Sequence, residues 1–163
     1  MVAFLYRMPA GIPGDVNRAQ HATVETHQID SAAGTPNRYG IPVKLVSGKI
    51  RMAESGDDGT AIKGWLVRPY PTNAGTDPLG TATPSASALG DVLRRGYMTV
   101  KLDEGTAAKD AAVYVRVTAN TGPTRPIGNI ATASDTGKCV VVPGAKFTGA
   151  ADANGNVEIE FNI

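Results

Sequence analysis

Val157, Ile159, Phe161 and Ile163 alternate with Glu158, Glu160 and Asn162 at the end of the chain. Successive side chains of a strand point to opposite faces, so this run has one apolar and one polar face. The same period of two returns in Met98, Val100 and Leu102 against Tyr97, Thr99 and Lys101. It returns again in Val113, Val115 and Val117 against Tyr114, Arg116 and Thr118. Such one-sided strands belong to an antiparallel sheet with one face on a core. A helix, with its period of 3.6, cannot hold that pattern on one side.

The punctuation agrees. Nineteen glycines and 11 prolines are spread through 163 residues, and charged residues make only 19%. That composition excludes a coiled coil and a helical bundle. Ser47-Gly48, between Val43–Val46 and Lys49–Met52, reads as a two-residue hairpin turn. Asn154-Gly155 reads as a type I′ turn before the last strand. Ala61 to Arg68 is another apolar stretch, ended by Pro69 and Pro71. Lys138 to Val142 carries apolar residues on both faces, which predicts a fully covered strand. Pro143-Gly144 is expected to end it, with Ala145 to Thr148 then pairing with residues 157 to 162. Residues 85 to 95 predict one short helix. Segment 70 to 88 is too long for a hairpin turn, and loops of that length are usually functional or mobile. These signals sum to an all-β protein: a single small antiparallel β-barrel or sandwich, jelly-roll-like, with at most one short helix. It spans residues 19 to 163, behind an extended N-terminal arm over residues 1 to 18.

The arm carries two prolines and two glycines in Met8-Pro9-Ala10-Gly11-Ile12-Pro13-Gly14. Proline disfavours the helical region for its predecessor, so Met8 and Ile12 are expected to be extended. Val2, Phe4, Leu5, Tyr6, Met8 and Ile12 make the arm apolar, so it needs a surface to lie against. Two surfaces are open to it: an edge of its own barrel or a neighbouring subunit.

Charge and chemistry narrow the function. Sixteen Lys and Arg against 15 Asp and Glu give a net charge of +1, too weak a field to gather nucleic acid or an anionic membrane. The longest apolar runs are too short to cross a bilayer, and the start of the chain lacks the pattern of a signal peptide. The one cysteine, Cys139, allows no internal disulfide, and in its apolar strand it is expected to be inert. Asp135-Thr136-Gly137 matches the aspartic-protease triplet, but Ala133-Ser134 before it and Lys138 after it do not fit, so it reads as a turn. His21 and His27 have no cysteine or carboxylate pattern to complete a metal site. Glu54, Asp57 and Asp58 lack the spacing of a calcium loop and read as a solvated turn. Gly137-Lys138 lacks the remaining residues of a phosphate loop. Ser31, Ser85 and Ser87 sit in no nucleophile elbow. Arg94-Arg95 with Tyr97 is too small for a nucleic-acid face. The expectation is a protein without catalysis, cofactor or metal.

Arg7-Met8-Pro9-Ala10-Gly11-Ile12-Pro13-Gly14-Asp15-Val16 resembles the N-terminal signature of structural cement (capsid decoration) proteins of tailed bacteriophages. The likeness continues through residues 92–100, 111–117, 126–128 and 143–147 to the closing strand from Val157. The resemblance implies a β-rich domain on the outer surface of an HK97-like shell, made in the host cytoplasm. Its partners would be the major capsid protein and copies of itself, as a homodimer or homotrimer, with no nucleic acid and no membrane. Its role would be to bind between major capsid subunits and stabilise the mature head. Phe4, Leu5, Tyr6, Arg7, Met8, Pro9, Ile12 and Pro13 are the candidate contact residues, because aromatic, Arg and Met side chains are the usual anchors of interfaces. The alternative is a tail-associated or host-binding β module using the 70 to 88 loop, which offers only Tyr70 as an aromatic.

Overall fold

A computed structural model describes residues 11–70, 83–121 and 124–163. Among them run twelve strands: β1 (Val16–Asn17), β2 (Thr23–Ile29), β3 (Pro42–Val46), β4 (Lys49–Met52), β5 (Gly64–Leu66), β6 (Leu89–Lys101), β7 (Ala112–Arg116), β8 (Asn120–Thr121), β9 (Thr124–Arg125), β10 (Ile130–Ala131), β11 (Cys139–Phe147) and β12 (Asn156–Phe161). Two single-turn 3-10 segments, Ala19–His21 and Gly59–Ala61, are the helical elements described. The Asp58 carboxylate caps the second, accepting from the Thr60 and Ala61 amides.

The long strand β6 organises everything. Its first half closes a five-stranded barrel in the order β6-β2-β4-β3-β5 and back to β6. Its second half continues a sheet in the order β10-β7-β11-β12-β6, with β1 beside it. At Val92 and Leu93 it lies between β2 and β5. At Tyr97 and Met98 it lies between β1 and β12. Gly96, at φ +133°, stands at the changeover, where a Cβ would come within 3.0 Å of Ala22 Cα.

Two cores sit on opposite sides of the wall that β5 and β6 make. Leu66 and Val92, directly paired, face a small core with Ile29, Ile41, Val43 and Ile50. Trp65 and Leu93, the neighbouring pair, face the larger core of Met98, Val113, Val115, Phe147, Ile159 and Phe161. Trp65 meets Phe161 edge to face, with ring centroids 6.3 Å apart. Burying one such side chain fully contributes about 1.5–3 kcal/mol.

The alternating strands form as expected at Val157, Ile159 and Phe161 and at Val113, Val115 and Val117, all buried, but Ile163 lies past the end of β12 and is exposed. The Ser47-Gly48 hairpin has both residues at positive φ, 51° and 76°, as a type I′ turn requires. Ala145, Lys146 and Phe147 pair with Phe161, Glu160 and Ile159.

Five expectations are corrected. The helix at residues 85 to 95 is absent; residues 89 to 95 are strand, because Val92 and Leu93 each have a core to fill on opposite faces. Lys138 to Val142 is not covered on both faces, since Val141 is 45% exposed. Pro143-Gly144 does not end that strand either. It makes a bulge in β11, with Gly144 at φ +75° and its carbonyl accepting from the Asn162 amide at 2.9 Å. The turn at Asn154-Gly155 is not type I′: Gly155 has φ +77°, but Asn154 does not share the positive φ. Asp152 arranges it instead, taking the Gly155 amide on its carbonyl and the Asn154 and Asn156 amides on its carboxylate. Finally, one pairing in the barrel is parallel, Gln28 and Ile29 beside Lys49 and Ile50.

Candidate interaction site

Of the candidate contact residues, Phe4, Leu5, Tyr6, Arg7, Met8 and Pro9 lie outside the described residues, as does most of the 70 to 88 loop. Ile12 and Pro13 are described, and both are half-buried. They begin a turn in which the Asp15 amide donates to the Ile12 carbonyl at 3.0 Å. Proline fixes the first central position and Gly14, at φ +96°, supplies the positive φ of the second, the pattern of a type II turn.

The turn is pinned to the body on two sides. The Gly14 amide donates to the Thr99 carbonyl at 2.8 Å, and the Thr99 amide donates to the Asp15 carbonyl at 2.9 Å. The Arg68 amide donates to the Gly14 carbonyl at 2.9 Å, and Arg68 Nε donates to the Pro13 carbonyl at 3.2 Å. A Cβ on Gly14 would sit 2.8 Å from Tyr39 Cβ and 2.9 Å from Arg68 Cβ, so only glycine lets the three segments close up. Further along, Asn17 Nδ2 donates to Thr99 Oγ1 at 3.1 Å and to Glu158 Oε1 at 3.2 Å. Arg18 lies over the Tyr97 ring at 4.0 Å.

Beside the turn is a groove of about 410 Å³ between Ile12, Pro13, Arg38, Tyr39, Lys101 and Asn156. Arg38 is held by Asp103, with Nη1 donating to Oδ1 at 2.9 Å. Lys101 donates to the Asn154 carbonyl. The Arg68 guanidinium stands 5.3 Å from the Tyr39 ring, and burial pushes the Tyr39 hydroxyl above its ordinary pKa. Arg38, Tyr39 and Lys101 carried no signal in the sequence, because the adjacent pair Arg38-Tyr39 and the distant Lys101 are brought together only by folding.

A second recess, about 460 Å³, is lined by Asp103, Glu104, Arg125, Asn129, Ser134 and Asp135. Beneath it Arg116 is wholly buried. Its Nε and Nη2 each donate to Glu104 at 2.7 Å, and Nη2 also reaches Asp135 at 3.1 Å. The carboxylates here are already engaged, so the cluster holds the surrounding loops together. Asp135-Thr136-Gly137 is a turn, as expected, with the Lys138 amide donating to the Asp135 carbonyl at 2.7 Å.

The other candidates are placed apart. His21 stacks edge-on against Tyr97, while His27 faces Glu25 at 3.4 Å. Among the described residues no group of three or more His, Cys, Asp or Glu is placed to hold a metal ion. Lys44 sits inside the acidic turn, 3.2 Å from Glu54 and 2.8 Å from Asp57. Burial works against its charge, but these carboxylates hold its pKa up. Cys139 is buried, which pushes its thiol pKa up.

Comparison with known proteins first defines the class. The chain shares its fold with a chain of the solved structure "The capsid of Myoviridae Phage XM1", at a TM-score of 0.71 and 19% identity, covering 98% of this chain and 95% of that one. No curated protein matches the sequence. The profile of the family described as XM1 gp53 minor capsid protein matches residues 1–161. The chain belongs to that family, and so to the structural proteins of the bacteriophage capsid, located in the virion.

Proposed function

We propose that this protein is a cement, binding the outside of an HK97-like shell between major capsid subunits and stabilising the mature head. Residues 1 to 18 act as its arm and residues 19 to 163 as its body. Phe4, Leu5, Tyr6, Arg7, Met8, Pro9, Ile12 and Pro13 make the contact, and copies of the chain associate as a homodimer or homotrimer on a capsid symmetry axis. The observation that carries this reading is the pinned turn at Ile12 to Asp15. Its backbone bonds to Thr99 and Arg68 hold Gly14 and Asp15 against the body, close behind the residues proposed to make the contact. A turn already ordered beside the contact removes part of the ordering entropy that opposes docking. Many copies on one lattice then let modest contacts add up.

Co-sedimentation with capsids lacking this protein tests it. Binding that saturates at a fixed ratio to the major capsid protein, and is lost on deleting residues 1 to 10, is the expected result. Saturable binding that survives the deletion moves the contact to the body. No binding at any concentration overturns the cement reading.

A further inference from the structure

The groove beside the pinned turn is built for a second kind of contact. Its floor is apolar, from Ile12, Pro13 and the Tyr39 ring, and its rim carries the cations of Arg38 and Lys101. Arg38 is matched by Asp103, but the bond described for the Lys101 ammonium goes to a carbonyl, that of Asn154. A carbonyl accepts a hydrogen bond without neutralising the charge, so the rim keeps a surplus positive charge above an apolar floor. Nothing acidic lines the groove among the described residues.

We infer that this groove docks an extended segment of the capsid shell that bears a carboxylate, seating an apolar side chain on Tyr39 and Pro13 and its acid on Lys101. The inference rests on the cement reading and adds the chemistry of the partner. Charge complementarity selects the occupant. The chain's own first ten residues hold no Asp or Glu and carry Arg7, so they would bring a second cation to a cationic rim. An acidic segment gains a charge-assisted hydrogen bond there, in a site shielded on one side by protein. The groove includes Ile12 and Pro13 of the proposed contact set, so both can engage one shell subunit.

The test is the same co-sedimentation, run with Lys101→Glu and with Lys109→Glu, which makes the same charge change at an exposed lysine elsewhere. Lys101→Glu is expected to weaken binding at least about tenfold, and Lys109→Glu to leave it near wild type. Wild-type binding should also fall with added salt more steeply than that of Lys101→Glu. Tyr39→Ser, which removes the apolar floor and keeps the rim charge, should weaken binding without changing that salt dependence. If wild type binds and Lys101→Glu binds equally well, the inference is overturned while the cement reading stands. Equal weakening by both lysine variants points to a diffuse field and overturns it too. No binding of the wild type overturns both readings.

Discussion

Replacing Glu104 by Gln should destabilise the fold by about 3 kcal/mol. Arg116 has no solvent exposure, and two of its nitrogens donate to Glu104 at 2.7 Å. Removing one partner of a buried ion pair costs roughly 3–5 kcal/mol, because the other charge stays buried without compensation. The lower end applies here, since Asp135 remains 3.1 Å away. Urea unfolding at pH 7 measures the loss. The double variant Glu104→Gln/Arg116→Met should recover at least about 1 kcal/mol relative to Glu104→Gln alone, because the stranded charge is then gone. The pH dependence gives a second reading. Hydrogen bonds from Arg116 hold the Glu104 carboxyl below its ordinary pKa, against the opposing pull of burial. A depressed folded pKa contributes stability that is fully present above the unfolded value of about 4.3 and is lost as pH falls through the folded value. The gap between wild type and Glu104→Gln should therefore close in acid. A Glu104→Gln protein within about 1 kcal/mol of wild type at pH 7 would refute the reasoning, as would a gap unchanged at about pH 3.

Three further outcomes are expected. Phe147→Ala empties a fully buried position in the larger core and should cost about 3–5 kcal/mol, read from the urea midpoint. Gly59→Ala places a Cβ 1.7 Å from the Val141 carbonyl oxygen, and should cost about 3 kcal/mol in the same assay by forcing β11 away. The Cys139 thiol, buried and with a raised pKa, should react with a thiol reagent about 100-fold more slowly in native protein than in urea.

Alternation made β7 and β12 legible, because each has one face on the larger core and the other turned away from it. It failed in β6 for a definite reason. A strand in a wall between two cores needs apolar groups on both faces, so Val92-Leu93 shows no period of two. Two polar positions within good alternating runs are also buried, Thr99 and Arg116. Backbone of the pinned turn bonds to Thr99 and leads the chain across it, and Glu104 and Asp135 enclose Arg116; neither partner is adjacent in sequence. At the candidate site the sequence placed Pro13 and Gly14 in an extended arm, and the turn they make depends on Thr99 and Arg68, far along the chain. The groove could not be foreseen, since Tyr39 and Lys101 meet only across the finished fold.

The wall between the cores also sets a timetable. Every residue of the small core lies at or before Val92, whereas the larger core includes Phe147, Val157, Ile159 and Phe161. Strand β12 fits between β11 and β6, so the last of the described strands is an interior one. On the ribosome the barrel has all its strands once β6 has emerged, while the far half of β6 waits for its neighbour. Trp65, the single tryptophan, stands on the wall with its ring toward the late half. Its fluorescence therefore reports the second stage of folding, when Phe161 reaches its ring.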